Sequence, residues 1–181
     1  MLKFMPNFLP KFFPKLAAIA ASLYFVMFAY FGFVPDVLAH SLNSAIVTPM
    51  ALFSFSGTRP TNLGVTAGNL LSCPNSPNCV SSQSTDAEHK ISPLTYTGDP
   101  AQALESLKAV VLSMPRTKII TAEANYLYAE FTSALMGYVD DVEFYLNADK
   151  NTIEVRSSSR LGESDLGVNR DRVESIRAKL A

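Results

Sequence analysis

The nineteen residues from Leu16 to Val34 carry no charge and follow Lys3, Lys11 and Lys15, and this run limits what the chain can become. A helix rising 1.5 Å per residue needs roughly 20 apolar residues to cross a bilayer, so the run is long enough to span. It also lacks the polar stripe that a helix packed on a soluble core turns to water. Basic residues before the run and none immediately after it predict a cytoplasmic N-terminus with the remainder translocated. Val37-Leu38-Ala39 offers the small residues that a signal peptidase accepts, so residues 1–39 are expected to be a cleaved signal peptide or a retained transmembrane anchor. Residues 40–58 contain no Asp, Glu, Lys or Arg, but Ser, Asn, Pro and Gly break up their apolar residues, which suits a linker better than a second span.

Composition divides the chain at the same place. Ten of the twelve Phe precede Gly57, whereas twelve of the fifteen Lys and Arg follow His40. Beyond His40, 12 basic residues face 15 acidic ones for a net charge of −3, which argues against nucleic acid because no basic stripe is available to neutralise phosphates. Residues 59–181 are left as one small domain.

Cys73 and Cys79 are the only cysteines, with Pro74 and Pro77 between them. In an oxidising compartment they are expected to form a disulfide closing a small ring. By the loop-entropy argument a ring of this size contributes about 2.4 kcal/mol at most, enough to pin a turn but not to hold a domain together. Two alternatives stay open. A redox-active pair would have wider spacing than Cys-X-X-Cys and no adjacent base to activate a thiol, and a metal site with His89 would lack a fourth ligand. No metal and no cofactor are expected.

Asp99-Pro100-Ala101-Gln102 predicts a helix start, with Asp99 as cap and Pro100 in the first turn. Leu104, Leu107, Val111 and Met114 then recur at helical spacing until Pro115 stops the run. Lys118 to Thr121, Tyr126 to Leu135, Val139 to Asn147 and Thr152 to Arg160 read as strands separated by turn-forming residues. A last helix is expected to start at Asn169 as cap and to bury Val173, Ile176 and Leu180. The predicted fold is α+β: an antiparallel sheet of four to five strands with two helices packed on one face.

Requiring the last two strands to share an apolar face fixes their register. A turn at Asp149-Lys150 sets Leu146 opposite Ile153 and Phe144 opposite Val155, pointing inward. The same register places Glu143 opposite Arg156 on the outer face as an ordinary cross-strand ion pair, and brings Asp140 opposite Ser159 on the inner face, where a carboxylate needs polar partners.

CPNSPNCVSSQ (73–83), DDVEF (140–144) and VRSSSRLGESDLGVNRDRVESIR (155–177) together resemble the bacterial and plastid proteins called domain of unknown function 1499, over about Arg59 to Ala181. The resemblance implies an exported or lumenal setting, periplasm or thylakoid lumen, and brings no established activity.

The densest polar cluster is Arg156, Ser157, Ser159 and Arg160, followed by Asp165, Asn169 and Arg170 at the mouth of the last helix, with Asp140 across the sheet. A helix N-terminus flanked by arginines suits a phosphate, carboxylate or sulfate. The competing account has the polar residues capping turns while the arginines pair with Asp140, Asp141 and Glu143. An enzyme would need His89 and Asp140 as base and orienting carboxylate, with Ser81 or Ser82 as nucleophile, yet no Gly-X-Ser-X-Gly elbow or phosphate-binding glycine loop is present. Tyr126, Tyr128, Tyr138 and Tyr145 are expected either to line a groove between sheet and helix or simply to pack. The function expected from sequence is an extracytoplasmic, membrane-associated accessory or binding module for an anionic ligand, a lipid headgroup or a membrane-protein partner. The alternative is a hydrolase using His89 and Asp140.

Overall fold

The computed structural model describes residues 54–181, so the signal or anchor expected over 1–39 and most of the 40–58 linker lie outside the described residues. Among the described residues no helix is long and apolar enough to cross a membrane.

The elements run β1 (Cys79–Ser81), β2 (Leu94–Thr95), α1 (Pro100–Ser113), β3 (Thr117–Ala122), β4 (Tyr126–Thr132), β5 (Val139–Asn147), a single 3-10 turn (Ala148–Lys150), β6 (Thr152–Ser159) and α2 (Val168–Leu180). All six strands form one antiparallel sheet in the order β1-β6-β5-β4-β3. The short β2 pairs with β6 at Leu94↔Ile153, further along the edge on which β1 pairs at Cys79↔Ser158. The architecture is therefore α+β as expected, with two more short strands than the four read from sequence.

Local chemistry explains the boundaries. Asp99 caps α1 by accepting from the Gln102 N–H at 2.9 Å, Pro100 occupies its first turn, and the helix stops one residue before Met114-Pro115. The β5–β6 register is the predicted one, with Leu146↔Ile153, Phe144↔Val155, Glu143↔Arg156 and Asp140↔Ser159. The connection differs from the two-residue turn expected at Asp149-Lys150: it is a 3-10 turn over Ala148–Lys150 closed by Asn151 in the left-handed region, a conformation asparagine tolerates.

Both helices cover one face of the sheet. Leu104, Leu107 and Val111 of α1 and Val173 and Ile176 of α2 form a continuous buried cluster with Leu127, Ala129, Phe131, Val142, Phe144, Leu146, Ile153 and Val155. The start of α2 differs from expectation. Gly167, not Asn169, is the cap residue, and the Asp165 carboxylate accepts from the backbone N–H of Gly167 at 3.1 Å and of Asn169 at 2.7 Å. Asn169 lies inside the first turn and is fully buried, because Gly167 adopts a left-handed conformation that ends the loop two residues earlier.

Candidate functional site

Strand alternation sends Tyr126, Tyr128 and Glu130 of β4, Asp141, Glu143 and Tyr145 of β5, and Glu154, Arg156 and Ser158 of β6 to the face opposite the helices. Read from sequence, that face belongs to solvent. Instead Glu143 is 0% exposed and Arg156 5%, so the expected surface ion pair is buried. The cover is the segment 59–72, which packs on this face as a strap. Leu63, Val65 and Leu70 of the strap pack on Tyr126, Tyr128, Ile120 and Tyr145. Its backbone is bonded down through Gly64 N–H to Glu143 Oε1 at 2.8 Å, Leu70 N–H to Gln83 Oε1 at 2.8 Å, and Gln83 Nε2 to the Gly68 carbonyl at 3.0 Å. Between these anchors the strap reverses in a two-residue turn closed by reciprocal Thr66 and Asn69 bonds at 2.9 and 3.0 Å. Ala67 and Gly68 both have positive φ there, the requirement for this tight hairpin geometry.

Beneath the strap lies a charged layer. Glu143 accepts from Tyr126 Oη at 2.8 Å and, at 3.4 Å, from Arg156 Nη1. Asp141 accepts from Tyr128 Oη and from Arg160 Nε at 2.9 Å and Nη2 at 2.6 Å. Arg160 continues to Glu130, which also accepts from Arg59 Nε at 2.6 Å. Ser82 donates to Glu154 at 2.6 Å. Burial, reinforced by the neighbouring carboxylates, pushes both Tyr126 and Tyr128 well above the ordinary phenol value, so they remain O–H donors. The bond to Asp141 holds Arg160 above the usual guanidinium value against the opposing effect of burial, whereas burial lowers Arg156 despite Glu143 beside it. Burial alone would raise Glu130, but its bonds to Arg59 and Arg160 outweigh that and hold it below the ordinary carboxylate range.

Strap and sheet border an open cleft of about 670 Å³, lined by Tyr126, Tyr128, Tyr145, Leu63, Val65 and Ile120 together with the polar Arg59, Thr61, Thr121, Glu123 and Asn125. The tyrosines line a groove, but on the sheet face away from the helices. Tyr138 is not among them and stacks on Phe55 with ring centroids 5.8 Å apart.

The residues picked out from sequence are divided by the sheet. Asp140, Ser157, Ser159 and Asn169 meet on the helix side, where Ser157 Oγ donates to Asn169 Oδ1 and Asn169 Nδ2 donates to Ser159 Oγ at 3.0 Å. Arg172, which sequence reasoning missed, completes this cluster by donating to Asp140, to Ser157 Oγ at 3.0 Å and to Asn169 Oδ1 at 2.6 Å, with its guanidinium 4.9 Å from the Phe131 ring centre. Its only sequence signal is the three-residue spacing from Asn169, which puts both on one helix face. Arg156 and Arg160 point to the strap side. Arg170 lies with neither group and donates at 2.8 Å each to the carbonyls of Lys90 and Glu88.

Cys73 and Cys79 are joined in a disulfide. The loop they close is clasped by His89, whose Nδ1 lies 2.7 Å from Asp86 Oδ1 and whose Nε2 lies 3.2 Å from the Ser76 carbonyl. Burial disfavours the imidazolium, but these two acceptors outweigh it and raise His89 above the ordinary histidine value. His89 and Asp140 thus have different partners, Asp86 and Ser76 for one and Arg172 for the other. Among the described residues no group of three or more His, Cys, Asp or Glu is placed to hold a metal ion.

A sheet with both helices on one face and a preceding strap packed on the other defines a small α+β domain with a cleft between strap and sheet. The chain belongs to the family described as protein of unknown function (DUF1499), which matches residues 69–180, in agreement with the resemblance carried by its three motifs. No curated protein matches it. Most of the strap, from Arg59 to Gly68, precedes the matched span, so one wall of the cleft comes from residues outside it.

Proposed function

We propose that this domain is a non-catalytic binding module held at the outer surface of a membrane by its N-terminal segment, and that the cleft beneath the strap holds its ligand. The observation that carries the reading is the cleft itself. It is of the size that small organic molecules occupy, and it combines aromatic and aliphatic side chains with the polar groups of Arg59, Thr61, Thr121, Glu123 and Asn125. Such a lining suits a molecule with a flat or aliphatic body and a few polar groups. A free anion suits it less well, because Arg160 and Arg59 are already paired with Asp141 and Glu130. The Cys73–Cys79 disulfide fits an oxidising compartment on the periplasmic or lumenal side.

Thr121 lies on β3 and lines the cleft. Thr121→Trp is compatible with a strand and would fill the space the ligand needs. Full-length chain purified from its native membranes and extracted for mass spectrometry is expected to release a small molecule in near-stoichiometric amount, and at least tenfold less from the variant. Equal recovery from both, or none from the wild type, contradicts the assignment. Turnover of an ester or phosphate substrate that is lost on His89→Ala would replace it with the hydrolase reading.

A further inference from the structure

We infer that the loop between β6 and α2 is a membrane-contacting element that places Leu166 in the lipid headgroup region; this rests on the membrane-surface reading above. Leu166 is 92% exposed, the highest value among the exposed large apolar side chains of the described residues. Its backbone is left-handed, with φ of 56°, a conformation that disfavours a branched side chain with no compensating contact. The loop is nevertheless built to hold it there. Ser164 Oγ accepts from the Leu166 N–H at 3.3 Å, the Asp165 carboxylate accepts from the Gly167 and Asn169 N–H groups, and Asn78 Nδ2 donates to the Gly162 carbonyl. A leucine braced outward on a rigid support is a wedge looking for an apolar medium.

The neighbouring surface points to which medium. Leu161, Val168, Leu135 and Tyr138 are all exposed, at 44%, 49%, 59% and 40%. Pairing of Asp140 with Ser159 and the Arg160 N–H bond to the Val139 carbonyl put the β4–β5 and β6–α2 loops at the same end of the sheet. The chain enters the domain there too. Phe55 stacks on Tyr138, its N–H donates to the Met136 carbonyl, and Gly57 sits so close to Leu161 that a Cβ would lie 3.1 Å from Leu161 Cγ. Phe55 belongs to the sequence stretch free of Asp, Glu, Lys and Arg that runs from Val37 to Thr58. The patch thus lies where the described chain enters the domain from this uncharged stretch, which fits an interfacial contact. Glu163 and Asp165 flank Leu166, so the matching surface is an uncharged or zwitterionic one rather than an anionic one.

The protein contains no tryptophan, so one introduced indole reports its own position. Full-length Leu166→Trp is reconstituted into phosphatidylcholine vesicles with and without bromine on the acyl chains, next to Ala124→Trp in the exposed β3–β4 turn near the opposite sheet end. The inference expects blue-shifted emission from Trp at position 166 and at least twofold quenching by the brominated lipid, with neither at position 124. Emission at the water-exposed wavelength overturns it, as does a blue shift without bromine quenching, which would mean burial against protein. Vesicle flotation separates the two levels: a chain that floats but is not quenched sinks this inference alone, whereas a chain that does not float sinks the membrane-surface reading as well.

Discussion

Replacing Arg160 with leucine is expected to destabilise the domain by about 3 kcal/mol, because it leaves the buried Asp141 without a cationic partner. The Arg160 side chain is only 6% exposed and is the sole guanidinium bonded to Asp141, itself 3% exposed in its side chain. Leucine preserves most of the volume, so the loss measures charge and hydrogen bonding rather than a cavity. Urea unfolding of the purified chain is the check, and Asp141→Asn added to the same variant should recover part of the loss through pairwise coupling. The variant should also lose part of an acid transition. The folded pKa of Glu130 lies below its unfolded value, so its pairing contributes stability that is present above about pH 4.3 and is lost as pH falls through the lowered folded value. Without Arg160 that loss between the two values should be smaller. A midpoint shift equivalent to less than about 0.5 kcal/mol would mean that the layer under the strap is solvated, as surface pairs are.

Phe144→Ala is expected to cost about 4 kcal/mol. Phe144 is 0% exposed at the centre of β5, paired with Leu127 on one side and Val155 on the other, and it faces both helices. Removing a buried aromatic ring loses its transfer free energy and leaves a cavity that a closed sheet-and-helix sandwich cannot fill. A domain of this size has roughly 5–15 kcal/mol to lose, so the variant should unfold well below the wild type on heating. A loss under about 1 kcal/mol would contradict the packing described for this face.

The two faces of the sheet explain what the sequence disclosed and what it hid. Leu146, Phe144, Ile153 and Val155 alternate with polar residues, and that alternation fixed the β5–β6 register, the inner face and the inward position of Asp140. The other face alternates too, but its Glu, Asp, Arg and Tyr residues look like a solvated surface. What buries them is a strap with Leu63, Val65 and Leu70 at irregular intervals, carrying neither helical nor strand periodicity. A cover held by Gly64 and Leu70 backbone N–H groups leaves no side-chain signature. The strands β1 and β2 were illegible for a related reason, since three and two residues are too few to show alternation and exist only because β6 offers an edge. Arg172 was missed because an arginine on a helix ordinarily faces water, and only the three-dimensional meeting of Asp140, Ser157 and Asn169 gives it a buried role.

The strap decides whether the second face is a cleft or a surface, and amide hydrogen exchange tests it most directly. Gly64 and Leu70 donate their N–H groups to the buried Glu143 and to Gln83, so both amides are expected to exchange at least a hundredfold more slowly than in an unstructured chain. Exchange of both at the unstructured rate, in a domain whose β5 and β6 amides remain protected, would mean that the strap is not held on the sheet and that no cleft between them exists for a ligand to fill.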